Sequence, residues 1–417
     1  MTRSSLLHLR RARVTFPRPV IADVEAAVRA ELERTRARFP PAGSRVAVGV
    51  GSRGIANIDR IVRTAVAVLR HWGLQPFIVP AMGSHGGATA DGQAALLASY
   101  GVTPDNMGCP VQSSMDVVEL DRGPLPHGIY MDRFAHESDG VLLINRIKPH
   151  TDFHGRFESG LAKMAVIGLG KEPAASTMHA YGVPGLRDGV PRAAERILAN
   201  GRIIGGLAVV ENAYDDTMAI EFLGADEVLT REPGLLEIAR ANMPALPMPA
   251  IDILIVDALG KNISGTGLDT NVIGRMRIAG QPEPDSPRIT AIVVCDLTDE
   301  SHGNATGAGL ADVITRRLFD KIDVGVTYTN VFTSGFPERG KIPLVAPTDA
   351  DAFLCAWRVC GPIPPEDLRV VRIRDTMHLT DLDVSAALVR ELDGRADIAV
   401  EDRAVSVFDD AGRLRPF

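Results

Sequence analysis

The chain has 417 residues, 45% of them hydrophobic, a formal net charge of −7 and four cysteines. That length calls for two cores rather than one, and the acidic balance excludes nucleic acid as the main partner, because a surface that tracks phosphates needs a basic excess. No Cys-x-x-Cys pair occurs and no apolar run reaches the roughly 18–20 residues of a spanning helix, so a zinc ribbon and a membrane span are excluded and free thiols in a cytoplasmic setting are expected.

Residues 1–40 open with a short strand-like stretch that is rich in arginine (Arg3, Arg10, Arg11, Arg13) and lacks the apolar segment of a secretory signal. A polar helix is expected over 20–38, ended by Pro40 and Pro41. Residues 45–50 read as a buried strand, 51–54 (Gly-Ser-Arg-Gly) as a turn, and 55–72 as a helix with Ile58, Ile61, Val62, Ala65 and Leu69 on one stripe. Gly73 stops that helix and 75–79 is the next strand. Strand, helix, strand predicts a parallel sheet with a right-handed crossover.

The second strand runs into a glycine-rich turn, Ala-Met-Gly-Ser-His-Gly-Gly-Ala-Thr at 81–89, with Thr89 as N-cap of a helix reaching about Tyr100. Such a turn lets backbone N–H groups and His85 approach a ligand, and a helix start beside it suits a phosphate. The spacing is not Gly-x-Gly-x-x-Gly, so the dinucleotide fingerprint is missing here. Residues 101–138 read as irregular or antiparallel. The apolar strand 140–145 then delivers Lys148-Pro149-His150 to the mouth of a sheet, with Pro149 holding Lys148 extended. A helix over 192–200 and a strand over 205–210 follow. The proline-rich stretch 242–250 is the domain boundary, dividing an N-terminal α/β domain (1–248) from a C-terminal one (249–417). The second domain starts with strand 251–256 and a glycine-rich loop at 261–269. It continues with a strand over 289–294 and helices over 308–319 and 350–359. The fold class is therefore α/β: two domains with largely parallel sheets and an active-site cleft between them, lined by loops beyond strand ends.

His85 is a natural acid or base, because an unperturbed imidazole titrates at about 6.5. His150 and His154 are four apart, but Pro149 and Gly155 flank them, so a helical two-histidine zinc site is not expected. Lys163 follows a glycine in Ser-Gly-Leu-Ala-Lys and reads as a solvated lysine or as a desolvated amine for covalent attachment or anion binding. His179 follows an apolar run and could hold a metal.

Gly-Ser-His-Gly at 83–86, Pro-His at 149–150, Ser-Gly-Leu-Ala-Lys at 159–163 and His179 occur in the order found in the nickel-pincer lactate racemase family, which the stretch from Arg45 to Gly182 resembles. The resemblance implies His85 and His150 as paired acid/bases, with His154 as the rival for the second. It implies Lys163 as the thioamide attachment of a nickel-pincer nucleotide, Ser84 and Gly160 as cofactor contacts, and His179 as the nickel ligand. Sixteen residues separate Lys163 from His179, an interval shared with the family. Gly-Ser-Arg-Gly at 51–54 stands where the family has Asp-His-Thr-Arg, so Arg53 and Lys261 are the expected carboxylate-binding cations and the substrate is expected to differ from lactate. The implied activity inverts C2 of a 2-hydroxy acid. The implied partners are that small molecule and the enzymes that make the cofactor, and a homo-oligomer is compatible with it. Protein made without those enzymes is expected to be empty. Two other readings stay open at this point: an oxidoreductase using a soluble dinucleotide, and a binding protein that has lost the cofactor.

Overall fold

The computed structural model describes residues 3–52 and 54–417. The chain forms two compact units, one of residues 17–243 and one of residues 1–16 with 244–417. Both are α/β, as the alternation of strands and helices predicts.

In the unit of residues 17–243 the sheet has five strands, in the order Gln75–Pro80, Arg45–Val50, Gly140–Arg146, Ile203–Glu211, Thr217–Gly224. The first four run parallel and the last antiparallel. Parallel strands are covered on both faces and so read as unbroken apolar runs; Val46, Ala47, Val48 and Val50 are all fully buried. The helix Ile58–His71 crosses over with Ile61, Val62, Ala65 and Leu69 in the core, the predicted stripe. Burying each such aliphatic side chain is worth roughly 1.5–3 kcal/mol. The helix expected over 20–38 is shorter, Val24–Arg34, because the Asp23 side chain accepts from Ala26 N at 3.0 Å and caps it there.

The other unit holds an eight-stranded sheet. Five strands, Leu344–Ala346, Val313–Thr315, Arg288–Val294, Ala250–Val256 and Val370–Ile373, are parallel neighbours in that order. Alternate residues serve alternate faces: Leu254, Val256, Ile292 and Val294 pack in one cluster, Ile253, Ile255, Ala291 and Val293 in another. The sequence reading made 308–319 one helix. Instead Val313–Thr315 is a strand, followed by a short helix Arg316–Asp320. Val-Ile-Thr is a β-branched triplet, and pairing with Val293 and Val294 outweighs its weak helical period.

The boundary at the amino end also differs. The strand His8–Val14 pairs antiparallel with Asp381–Val384 and Ile398–Ser406, so residues 1–16 belong with the second sheet and not with the domain drawn as 1–248. Leu9, Ala12 and Val14 are buried there, and Arg11 lies opposite Asp383 with Nε 2.6 Å from its carboxylate. Among the described residues no helix is long and apolar enough to cross a membrane.

Candidate active site

The strand Gln75–Pro80 ends at the turn that carries His85. The His85 N–H donates to Met82 O at 3.1 Å, and its ring Nδ1 lies 2.6 Å from Ser52 Oγ. Ser84 is half-buried and its carbonyl accepts from Ala88 N at 3.0 Å. The glycines of this turn have a packing reason. A Cβ on Gly86 would meet the Gly92 and Gln93 backbone at 2.6–2.7 Å, and one on Gly92 would meet Gly86 O at 1.9 Å, so the turn and the following helix touch backbone to backbone. Thr89 caps that helix as predicted, accepting from Gly92 N at 3.1 Å. The helix start is thus closed from within the chain.

Buried side chains brace the turn from below. Gln93 Nε2 donates to Gly83 O at 2.7 Å and to His85 O at 3.2 Å. Lys171, fully buried, donates from Nζ to Gln93 Oε1 at 3.0 Å and to Pro80 O at 2.5 Å, and lies 3.2 Å from the equally buried Asp132 carboxylate. Burial pushes the Lys171 amine down and the Asp132 carboxyl up, each opposed by the charge of the other. The Lys171 amine is thus wholly engaged inside the fold.

The strand Gly140–Arg146 leads into a loop hung on a two-bond bridge: Lys148 N donates to Ser159 O at 3.0 Å and Ser159 N to Lys148 O at 3.1 Å. Inside the loop, the Glu158 carboxylate is buried and accepts from His150 N (2.6 Å), Gly155 N (3.1 Å) and Arg240 Nη2 (2.8 Å). His154 points its Nδ1 at the same carboxylate, 3.3 Å away, and stays partly exposed. His150 turns the other way. Its Nε2 lies 2.5 Å from Lys163 Nζ, its Nδ1 accepts from Asp152 N at 3.0 Å, and its ring stacks at 4.7 Å on buried Phe153.

Lys163 closes the short helix Leu161–Lys163, and the fully buried π-helical turn Met164–Gly168 continues it. Its ammonium also lies 5.6 Å from the Phe153 ring centre. His179 stands in the last turn of the helix Lys171–Ala180. Its Nδ1 is buried and has no hydrogen-bond partner among the described residues. Burial holds its pKa below the usual imidazole value, the positive Lys163 adds to this, and Asp152 opposes it. His150, Asp152, Lys163 and His179 are therefore electrostatic and hydrogen-bonding neighbours.

Lys261 belongs to the other unit, in the loop after the strand Ala250–Val256, where its amine contacts Gly265 O and lies 2.8 Å from Asn330 Oδ1. Arg53 lies outside the described residues. Sequence reasoning missed Ser52, Asp152, Phe153, Glu158 and Glu232. Asp152 and Glu158 stand within the histidine motif and could have been weighed; Glu232, on the helix Val228–Asn242, gives no local signal.

Glu232 is almost completely buried, with Oε2 accepting from Leu161 N (2.8 Å) and Ala162 N (3.0 Å). Burial raises its carboxyl from 4.5 to about 7, against those two hydrogen bonds. An acid with a raised folded pKa binds its proton more tightly when folded, so its stability contribution is complete below 4.5 and is lost as pH rises through about 7. At roughly 1.4 kcal/mol per tenfold in proton affinity this amounts to about 3 kcal/mol. Denaturant unfolding from pH 4 to 8.5 should show the wild type falling by that order relative to Glu232→Gln, which carries no titrating group there. Parallel curves for the two proteins would rule the linkage out.

A groove of about 730 Å³ in the same unit, lined by Arg38, Phe39, Glu195, Ile203 and Leu229 among others, includes none of these residues. Among the described residues no three His, Cys, Asp or Glu side chains are grouped to hold a metal ion. A buried imidazole nitrogen without a hydrogen-bond partner among the described residues is nonetheless what a metal ligand requires, and the Lys163 amine lies within electrostatic reach of it. His179 and Lys163 are the residues here that could hold a metal or a covalently attached group.

No protein-family model and no curated protein matches the sequence. Among solved structures, the lactate racemase apoprotein from Thermoanaerobacterium thermosaccharolyticum superposes with a TM-score of 0.53 at 12% identity, over 88% of this chain and 98% of that one. At that identity the likeness is one of fold, and it extends over nearly the whole of both chains: this α/β chain is similar in fold to a lactate racemase apoprotein.

Proposed function

We propose that this protein is an isomerase that inverts C2 of a 2-hydroxy acid, with a nickel-pincer nucleotide attached at Lys163 and its nickel bound by His179. The observation that carries the reading is the buried, unpartnered Nδ1 of His179 in the electrostatic neighbourhood of Lys163, whose amine touches His150. When bound, the group supplies a two-electron acceptor that takes and returns the C2 hydrogen. The chain's own residues manage the proton and the carboxylate. In each direction one of His85 and His150 takes the C2 hydroxyl proton of the starting enantiomer and the other protonates the 2-oxo oxygen as the opposite enantiomer forms, which avoids a charged alkoxide. Ser52 on His85 Nδ1 and the Asp152 N–H on His150 Nδ1 fix the two rings, a requirement for proton transfer at a defined oxygen. Arg53 serves as the carboxylate partner, and Ser84 and Gly160 as backbone neighbours of the cofactor.

The test uses protein co-produced with the cofactor-making enzymes, checked by intact mass and nickel content, and given single enantiomers of C2-deuterated hydroxy acids without NAD. Configuration should scramble while deuterium is largely kept. Lys163→Ala should carry no adduct and His179→Ala should retain less nickel. Washout of the label to water rules out hydride transfer. Inactivity of nickel-loaded protein across aliphatic, aromatic, dicarboxylic and sugar-derived acids rules out the isomerase.

A further inference from the structure

We propose that Glu232 is a positioning residue for Lys163, and that position 160 is glycine on account of Glu232 rather than of a ligand. The inference rests on the reading of Lys163 as the attachment residue. The first N–H groups of a helix have no partner within it. In the run that begins at Leu161 no side chain of residue 160 caps them, and a single oxygen, Glu232 Oε2, takes the N–H groups of Leu161 and Ala162 at 2.8 and 3.0 Å. Asn145 Nδ2 holds the Gly160 carbonyl at 3.0 Å from the other side. The start of the helix is therefore gripped at three backbone atoms, one turn before Lys163.

The backbone of Gly160 is extended, with φ 177°, a conformation open to any residue. What excludes a side chain is the carboxylate. A Cβ on Gly160 would lie 2.3 Å from Glu232 Oε1, 2.6 Å from its Cδ and 3.0 Å from Oε2. Oε1 itself is buried and has no hydrogen-bond partner among the described residues. A carboxyl group kept inside the fold with no ion-pair partner among the described residues and one oxygen unsatisfied destabilises the native state, and here it fixes where the lysine-bearing helix begins. A slip of that helix would carry Lys163 Nζ away from His150 Nε2, its contact at 2.5 Å.

The experiment compares Glu232→Ala, Glu232→Gln, Gly160→Ala and the double variant Glu232→Ala with Gly160→Ala. Unloaded protein is read by amide exchange at Leu161 and Ala162 and by the nitrogen shifts of the His150 ring. Protein co-produced with the maturation enzymes is read by the fraction loaded at Lys163, with Tm as the check on folding. Losing the cap in Glu232→Ala should speed exchange and cut loading by about tenfold each. Glu232→Gln keeps an acceptor oxygen and should stay near wild type in amide exchange, His150 shifts and loading. Gly160→Ala should resemble Glu232→Ala, and the double variant should be no worse than Glu232→Ala alone, because the clash disappears with the carboxylate. Wild-type loading in Glu232→Ala, or full additivity of the two changes, overturns the proposal. If the wild type itself takes no adduct, the attachment reading fails separately. The positioning role is then decided by the His150 shifts, which must move in Glu232→Ala and stay in Glu232→Gln.

Discussion

Loaded protein carrying His150→Ala should lose on the order of 10²–10⁴ in turnover, in both directions, and His85→Ala should do the same. Each direction needs one imidazole as base and the other as acid, so neither loss should spare a single enantiomer. His154→Ala is the informative control. Its ring faces the Glu158 carboxylate and is partly exposed, whereas His150 touches Lys163. It should therefore cost less than tenfold, a change in loop support rather than in proton transfer. Initial rates from both enantiomers, by chiral chromatography on nickel-quantified protein, decide it. Equal crippling by His154→Ala with a wild-type Tm would transfer the second acid/base role to that residue.

Lys171→Met should destabilise the protein by roughly 3–5 kcal/mol, because it leaves Asp132 buried without its cation. Both side chains are completely inaccessible and lie 3.2 Å apart. Asp132 Oδ1 keeps the Ala135 N–H at 3.0 Å, but among the described residues Oδ2 has only the lysine. Lys171→Met with Asp132→Leu should recover much of the loss, since an apolar pair needs no compensation. Urea unfolding of the two singles and the double measures the coupling; a Lys171→Met loss below about 1 kcal/mol would show the pair to be unimportant. The same lysine tethers Pro80 O and, through Gln93, the carbonyls of Gly83 and His85. Activity of Lys171→Met should therefore fall further than its stability accounts for, with His85 displaced.

Much of the fold could be read from local pattern. The helix Ile58–His71 announces itself through apolar residues three and four apart, and the strands Arg45–Val50 and Ala250–Val256 through short apolar stretches rich in valine and isoleucine, because a single element's burial is set by its own periodicity. The candidate side chains were placed in the same way. His85 and His150 stand just beyond strand ends, Lys163 in the short helix that follows the second of those loops, and His179 on the next long helix. The glycines were half legible. Their number marked the turn at 81–89, but whether a glycine admits a ligand or a neighbouring backbone depends on what lies opposite, which at Gly86 is Gly92.

The sequence by itself determined which residue types are present and the order in which strands and helices present them, since these follow from backbone propensity and side-chain spacing along a few turns. Only the tertiary structure decided the partners. It paired the strand His8–Val14 with strands more than three hundred positions away, where Arg11 meets Asp383. It chose His150 over His154 as the neighbour of Lys163, by drawing His154 onto a buried carboxylate that Arg240 also holds. It buried Lys171 and left Lys163 in reach of His150, and it set Glu232 against Gly160 across seventy-two residues of chain. Two histidines in one short loop, or two lysines eight residues apart, differ little in local energy. What separates them is which buried polar group each one satisfies, and that is fixed only when distant segments pack and every desolvated atom must find a partner.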